Sequence, residues 1–557
     1  MNIEVNSQNV IQDNENLLTK YYRFYIISIT LTQAIGKLME IVMKIYKGKI
    51  VTVDANNHVY DYLVEEKGKI IYAGDTLPEE YLGNDVIDLK NKALIPSFVD
   101  SHTHFASYAT FHSGLNVMDA RSNTEILRML KEFVEQSNDK LIIGFGASPY
   151  SVEERCLVTR KQLDEVCPNK PLFLVKYDGH ACIVNTCLLN KIKKKAKRLR
   201  GYHEESGEMN QEAFFVVSNY ITNSIPIFKL LKDMQKALDH FASKGIGMIH
   251  SVSGVGFSGD LDVDLERGFA NGIDNGFQMR VFMQTMDVKK ALKRKLTRIG
   301  GCFENALDGC FGSKDAALIN PYELSDDKGV LYYTDEQVID FCKKANRAGL
   351  QIEMHAIGDA AFNQAVKGIR TALDDTYRED HRHTIIHACL PTVEGIKLCK
   401  IYNIQLAVQP AFNDWPQEPT IYLKRILGRR SKHLNPLRTF QDYGILLSAG
   451  SDSPCTEPNP IEWLHKACNY QEQSLTIQEA LKMCTYNGYY TTFDEDKRGS
   501  LEVGKIADMV LLSENPYDVP TNKINTLKVE QLYLQGNEYQ PCNQNSILQV
   551  LKGLINR

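Results

Sequence analysis

The sequence predicts an α/β fold: a (β/α)8 TIM-like barrel carrying a small composite β-sandwich domain formed by the N- and C-terminal segments. Two observations lead to this prediction. Short apolar runs alternate with longer helical patterns through the middle of the chain, as parallel βα units do. Strand-like segments lie on both sides of that region, and 557 residues are enough for a large barrel and a satellite domain.

The predicted domain limits follow from where the regular pattern begins and ends. Residues 43–53 alternate as a half-buried strand does, and residues 498–512 are strand-like again and are expected to pair with the N-terminal strands. These limits give an N-terminal extension at 1–42, the first part of the β domain at 43–95, the barrel at 96–496, and the second part of the β domain with a C-terminal tail at 497–557.

The apolar runs between the two ends give more candidate strands than a barrel can hold. There are nine candidates for eight positions: 93–100, 141–146, 172–176, 247–250, 279–284, 350–355, 383–387, 404–408 and 445–451. At least one of them therefore lies outside the barrel, and the apolar runs do not say which.

Charge and cysteine content exclude several classes of protein. The 64 basic and 69 acidic residues leave a formal charge of −5, so we expect no nucleic-acid partner. The most apolar stretch near the start, 24–36, is shorter than the roughly 20 residues that span a bilayer, so we expect no membrane anchor. Thirteen scattered cysteines without a Cys-x-x-Cys pair suit a reducing compartment and predict a cytoplasmic protein.

An insertion at about 186–227 is predicted to cover the barrel mouth, because a long excursion over an active site is commonly a lid. A surface excursion without a catalytic part is the alternative. The basic run within it, 191–200, lacks interleaved aromatic residues and is better explained as a solvated helix face than as a nucleic-acid site.

The strongest local signal for chemistry is a pair of histidines directly after an apolar strand. His102 and His104 stand at positions i and i+2, so both imidazoles face the same side of the strand. At the carboxyl end of a barrel strand, that side is the usual active site. Two imidazole nitrogens supply half of a four-coordinate zinc site.

The same placement recurs at three further strand ends, which hold His355, His387 and Asp452. Metal-competent residues at four separate strand ends predict a site for one or two divalent metal ions, expected to be zinc. A metal ion of this kind activates water for hydrolysis. Asp452 is predicted to accept the proton of that water, to bind the metal, or to do both.

A further cluster, Lys176-Tyr177-Asp178-Gly179-His180, follows the apolar run at 172–176. If two metal ions bind, Lys176 is the candidate bridging ligand, provided that carbon dioxide carbamylates its amine. An ion pair of Lys176 with Asp178 or with a substrate anion is the alternative. Tyr177, Asp178 and His180 are predicted to contact the substrate. His180 is expected to donate to its carbonyl oxygen or to bind metal.

Seven blocks in order resemble the amidohydrolase superfamily, and within it amidohydrolase family 3, the YtcJ-like branch. They are the blocks at 95–104, 178–186, 308–314, His355 to Asp359, His387-Ala388, 450–454 and 499–508, with Ser97 where glycine is usual and Lys314 where arginine is usual. Members of this branch often carry arginine at the position of Lys176. The resemblance covers about 43–540 and implies the barrel, one or two divalent metals, usually zinc, and the ligands His102, His104, His355, His387 and Asp452.

The resemblance implies hydrolysis of a non-peptide carbon–nitrogen bond, such as an amide, formamide or cyclic amide, in a small-molecule substrate. Two alternatives stay open: a ring-amidine deaminase on the same fold, and a non-catalytic metal-binding regulatory protein. The substrate does not follow from the fold, because barrel loops vary while the metal site stays. A homo-oligomer is compatible with the sequence.

Overall fold

A computed structural model describes residues 43–254, 258–542 and 545–555. The predicted extension at 1–42 and its apolar stretch at 24–36 lie outside the described residues. Among the described helices no single one is long and apolar enough to cross a membrane, although two consecutive helices, Gln211–Ser224 and Ile227–Ser243, pass by length and composition together and meet at a bend of 97°.

The strands are short, and those of the barrel are buried on both faces, as parallel strands under helices are. In chain order they are β1 (Lys44–Val51), β2 (Val59–Glu66), β3 (Lys69–Gly74), β4 (Val86–Pro96), β5 (Phe98–Thr103), β6 (Leu115–Asn116), β7 (Ile142–Ala147), β8 (Leu172–Lys176), β9 (Ala181–Val184), β10 (Glu208–Asn210), β11 (Ile246–Ser253), β12 (Gln278–Met283), β13 (Arg298–Ala306), β14 (Gln351–Ala356), β15 (Thr384–His387), β16 (Gln405–Val408), β17 (Leu447–Ala449), β18 (Met509–Leu512), β19 (Val529–Leu534) and β20 (Asn537–Glu538).

Many of the helices are capped by a serine, threonine, asparagine or aspartate side chain, which satisfies a backbone N–H of the first turn. In chain order they are α1 (Phe105–His112), α2 (Asn123–Gln136), α3 (Arg160–Val166), α4 (Thr186–Ala196), α5 (Gln211–Ser224), α6 (Ile227–Ser243), α7 (Leu261–Gly272), α8 (Val288–Lys293), α9 (Asp335–Arg347), α10 (Asp359–Asp375), α11 (Val393–Ile401), α12 (Thr420–Leu427), α13 (Leu437–Asp442), α14 (Pro460–Cys468), α15 (Ile477–Cys484), α16 (Tyr486–Thr491) and α17 (Ser546–Ile555).

Eight parallel strands form the barrel and confirm the predicted fold. Their order is β5, β11, β12, β13, β14, β15, β16 and β17. A parallel bridge between Thr103 and Ser453 joins the first strand to the loop after the last, so the sheet closes on itself. The carboxyl ends of all eight strands therefore surround one space.

The composite β domain is confirmed as well, and its strands form one seven-stranded sheet. Strand β18 from the C-terminal segment pairs antiparallel with β4 from the N-terminal segment, with Met509 opposite Pro96 and Leu512 opposite Ala93. Only Ser97 separates β4 from β5, so the chain passes directly from this sheet into the barrel.

Two of the nine candidate strands lie outside the barrel. The runs at 141–146 and 172–176 correspond to β7 and β8, which belong to a separate five-stranded sheet with the order β10, β9, β8, β7, β6. Apolar residues cover both faces of that sheet, so its strands have the same sequence pattern as barrel strands. The predicted insertion at 186–227 supplies β10 and the helices α4 and α5 of this unit.

The barrel position that the sequence missed is the fourth, which β13 occupies. Gly300 and Gly301 break its apolar run, and its pairing with β14 shifts register between Gly301 and Ala306. This β-bulge is the reason why the strand has no regular alternation.

Candidate metal centre

The five ligands predicted at strand ends converge at the carboxyl end of the barrel. His102 lies in β5 and His104 follows it, His355 lies in β14, His387 ends β15, and Asp452 follows β17. All five side chains are buried. His387 and Asp452 adopt left-handed backbone conformations, with φ of 68° and 55°. Such strain in residues other than glycine is characteristic of functional sites.

A first group of candidate ligands consists of His102, His104, Asp452 and Cys302, whose ligand atoms all lie within 4.8 Å of one another. Oδ1 of Asp452 lies 3.1 Å from Nε2 of His102 and 3.2 Å from Nε2 of His104. Despite burial, these imidazoles hold the pKa of Asp452 well below its usual range, so its carboxylate is charged.

The first group fits a metal ion better than it fits a network of hydrogen bonds. Within the described part of the chain, Oδ1 of Asp452 is buried and has no hydrogen-bond partner, although both imidazole nitrogens are close. Nitrogen and oxygen ligands about 2.0–2.2 Å from a zinc ion lie about 3.0–3.5 Å from one another. The separations of 3.1 Å and 3.2 Å match that spacing.

A second group consists of Cys302, His355 and His387. Nδ1 of His387 lies 2.6 Å from Oε1 of Gln409, which leaves Nε2 free to bind a metal. Burial holds the pKa of His387 well below its usual value, so its imidazole is neutral, as a ligand must be. Nε2 of His355 lies 3.3 Å from the carbonyl oxygen of Gly309, and its buried Nδ1 has no partner among the described residues.

Two buried carboxylates hold the loops that carry these ligands. Asp100 accepts hydrogen bonds from the backbone N–H of Ser451 at 2.9 Å and of His102 at 3.3 Å, which ties β5 to the loop of Asp452. Asp308 accepts from the N–H groups of Ile357 and Gly358 at 3.0 Å and 2.7 Å and fixes the loop after His355. The backbone around the site is therefore held in place by hydrogen bonds to these two side chains.

Lys176 does not join these groups at a barrel strand. It ends β8 of the five-stranded sheet, and its Nζ lies 2.8 Å from Oδ2 of Asp178. Despite burial, Asp178 raises the pKa of Lys176, which favours the charged amine. The arrangement matches the alternative of an ion pair with Asp178.

The other residues of that cluster take different places. Asp178 and His180 line the cavity at the barrel mouth, and the ring of His180 lies 6.0 Å from that of Phe303. Tyr177 is fully buried behind the cavity wall, where its hydroxyl donates to Oε1 of Glu418 at 3.0 Å. Its role in the structure is therefore to support the wall, not to contact a substrate directly.

Sequence reasoning missed three residues of the site. Cys302 and Gln409 are buried and Glu418 is half-buried, and each is adjacent to the predicted ligands or lines the cavity. Burial raises the pKa of Glu418 to about 7. Two consecutive glycines before Cys302 are the one signal that marks a special backbone at that position.

The cavity above the metal-competent groups is strongly apolar. Helix α5 of the five-stranded unit forms part of its wall, opposite residues from the barrel loops. Its apolar lining includes Phe111, Phe145, Phe173, Phe214, Phe215, Ile221, Phe303, Phe311, Phe412 and Trp415. Phe215 and Phe303 also line a second, wider cavity towards solvent, so they stand between the two spaces.

Comparison with known proteins gives consistent results. The family model described as Amidohydrolase family matches residues 85–539. The putative amidohydrolase YtcJ of Bacillus subtilis is 25% identical over 483 residues, 81% of this chain and 89% of that protein. The N-substituted formamide deformylase of Arthrobacter pascens is 23% identical over 544 residues, 89% of this chain and 97% of that protein.

Solved structures show the same fold. A metal-dependent hydrolase from Pyrococcus furiosus, described as uncharacterized, superposes with a TM-score of 0.68 over 86% of this chain and all of its own, at 22% identity.

Proposed function

Because the chain belongs to the amidohydrolase family, we propose that it hydrolyses a non-peptide carbon–nitrogen bond of a small molecule: an amide, a formamide or a cyclic amide. The observation that carries the proposal is the convergence, at the carboxyl end of one barrel, of four imidazoles and the charged Asp452, whose Oδ1 accepts no hydrogen bond from the described residues. Such an arrangement suits metal-dependent hydrolysis better than redox or transfer chemistry.

We propose that the ligands hold one or two divalent ions, with zinc as the expected metal. His102, His104 and Asp452 would hold one ion, and His355 and His387 would hold the other. Imidazole ligands suit zinc, whereas magnesium and calcium prefer oxygen. When bound, a zinc ion polarises a carbonyl oxygen and lowers the pKa of a nearby water from about 15.7 towards about 7.

Two side chains of the protein, Asp452 and His180, would supply the proton transfer and the hydrogen bond that the reaction needs. The charged carboxylate of Asp452 accepts a proton from the attacking water and returns it to the nitrogen of the leaving amine. His180, whose ring is in the cavity wall, donates to the carbonyl oxygen as it becomes negative. The backbone N–H of His180 donates to Oδ1 of Asp178 at 3.1 Å, which holds this turn above the site.

The apolar cavity favours a neutral substrate with a bulky apolar group on nitrogen. Aromatic side chains such as Phe145, Phe173 and Trp415 exclude water and offer surfaces for an aromatic ring. The name of the A. pascens relative, an N-substituted formamide deformylase, supports this class of substrate. We also propose a cytoplasmic location, supported by the thirteen cysteines, all free in the described chain.

The test is a hydrolysis assay of the metal-loaded full chain on N-benzylformamide, related amides and cyclic amides. We expect release of amine, with Asp452→Asn slower by about 10²–10⁴-fold because the proton acceptor is lost. The matched control is Asp442→Asn at the exposed end of α13, which should be as active as the parent chain.

Other outcomes point to the alternatives. Release of ammonia from ring amidines, without hydrolysis of amides, would replace the proposal by a deaminase. Bound metal without turnover of any substrate would indicate a non-catalytic metal-binding protein. Equal activity of Asp452→Asn and the parent chain would contradict the assigned role of the carboxylate.

A further inference from the structure

We propose that the thiolate of Cys302 bridges two metal ions and joins the two groups of ligands into one binuclear centre. The proposal rests on the metal-dependent function proposed above. Sγ of Cys302 lies 3.4 Å from Nε2 of His102 in one group and 3.8 Å from Nε2 of His387 in the other. Cys302 is the one residue that the two groups share within the described chain.

The backbone of β13 is built to place this side chain between the groups. Gly300 and Gly301 have φ of 123° and 134°, which only glycine adopts readily. A Cβ atom on Gly301 would lie 2.8 Å from side-chain atoms of Gln284 and Val252, so no larger residue fits there. The bulge that follows takes residues after Gly301 out of the regular ladder, and Cys302 reaches the barrel interior.

Two other candidates for a bridging residue, Glu353 and Lys176, are placed differently. Glu353 in β14 is buried, and neither of its carboxylate oxygens has a partner among the described residues, but it belongs to neither group. Lys176 is held in an ion pair with Asp178 on another sheet. Among the described residues, Cys302 alone therefore supplies a soft anion within reach of both groups of ligands.

A sulfur bridge has consequences for the metal. Thiolate prefers zinc and other thiophilic ions to magnesium or manganese, so the site selects its metal through this residue. On binding, the thiol of Cys302 gives its proton to solvent, and the sulfur shares its negative charge between two cations. Asp452 would remain a ligand of the first ion and the proton acceptor of the reaction.

The test is cobalt(II) loading of the full chain, followed by near-ultraviolet absorption and elemental analysis. A thiolate-to-cobalt charge-transfer band is expected in the parent chain, with about two ions bound. Cys302→Ser should lose the band and bind about one ion or fewer. Cys389→Ser is the matched control, because that buried thiol lines the same cavity but belongs to neither group, and it should keep both the band and the ions.

A carboxylate variant separates loss of the bridge from loss of folding. Cys302→Asp offers an oxygen bridge and should recover metal content without the band. If the variants at Cys302 do not fold, zinc-edge X-ray absorption of the unaltered chain decides, because a sulfur neighbour at about 2.3 Å is expected. An unaltered band in Cys302→Ser, or no sulfur at the zinc edge, would overturn the bridge.

The outcomes distinguish this inference from the proposed function. If the chain shows the band but hydrolyses no amide, the sulfur bridge is supported and the proposed function is contradicted. If the chain hydrolyses amides but its metal has only oxygen and nitrogen ligands, the proposed function is supported and the sulfur bridge is contradicted. If the chain binds no metal, both proposals are contradicted.

Discussion

The amide oxygen of Gln409 lies 2.6 Å from Nδ1 of His387, and both side chains are buried. A hydrogen bond from Nδ1 to this oxygen selects the tautomer in which Nε2 is unprotonated and faces the second group of ligands. The orientation of His387 therefore depends on a neighbour that is not itself one of the candidate ligands.

Gln409→Ala should weaken the binding of one metal ion about 10–100-fold, because the imidazole loses the partner that fixes its tautomer. Chelator competition on the zinc-loaded chain measures this change, and the other ion should be affected less. Gln409→Glu keeps an acceptor and should restore affinity. Gln441→Ala on the exterior helix α13 is the control. Unchanged binding in Gln409→Ala would mean that His387 is not a ligand.

At the scale of residues, the sequence predicted those candidate ligands whose position in the chain reveals their place in space. His102 and His387 lie at the ends of apolar strands and Asp452 follows one, and strand ends meet at one edge of a barrel. Cys302 lies within a strand that the sequence did not reveal. Gln409 directly follows β16, but glutamine is not among the residue types that usually bind zinc, so neither residue was predicted. Lys176 was misplaced because its strand has a barrel-like pattern but belongs to the five-stranded sheet.

At the scale of elements, helix α5 connects the five-stranded unit to the cavity above the candidate metal centre. Phe215 on this helix lines both the inner and the outer cavity and keeps 47% of its surface exposed. Its ring therefore stands at the passage between the two spaces and contributes little to the core. The predicted lid at 186–227 includes this helix, and its motion stays a prediction.

Phe215→Ala should lower kcat/KM for substrates with an aromatic group about fivefold, since an aromatic contact is worth about 1 kcal/mol. Substrates with only a methyl group on nitrogen should be hydrolysed at the parent rate. Steady-state kinetics on the two substrates measure the difference. Phe228→Ala on α6 is the control, because Phe228 is 66% exposed and lines neither cavity. Equal losses for both substrates would contradict a role in selection.

Strands with a continuous apolar run could be predicted as elements, but their sheet could not. Strands β7, β14 and β15 are all fully buried, and only long-range pairing separates the first from the other two. Strand β13 was missed for the opposite reason, since its glycines and its bulge interrupt the regular pattern of a strand.

At the scale of the whole molecule, helix α7 links the C-terminal helix to the barrel. Helix α7 packs against the C-terminal helix α17 so closely that a Cβ atom on Gly272 would lie 1.9 Å from the carbonyl oxygen of Gln549. Facing the barrel, the same helix buries Glu266, whose carboxylate accepts from the hydroxyl of Ser251 on β11 at 2.6 Å and from the N–H of Ala106 on α1 at 3.1 Å.

Burial, with Asp262 nearby, raises the pKa of Glu266 to about 8, against about 4.3 in an unfolded chain. The folded state therefore holds a proton that the unfolded state releases. The protonated Glu266 makes its full contribution to the free energy of unfolding below about pH 4.3. This contribution falls as the pH rises towards about 8, by at most about 1.4 kcal/mol per pH unit.

Glu266→Gln removes the titration but keeps an oxygen for Ala106 and an N–H for Ser251. Urea unfolding at pH 5.5 and pH 8.5, with equal metal loading, should therefore show a smaller loss of stability in this variant than in the parent chain. Glu132→Gln, at an exposed site of α2, is the control and should follow the parent. Equal losses in Glu266→Gln and the parent would mean that Glu266 is charged in the fold and that its contacts with β11 and α1 are ionic.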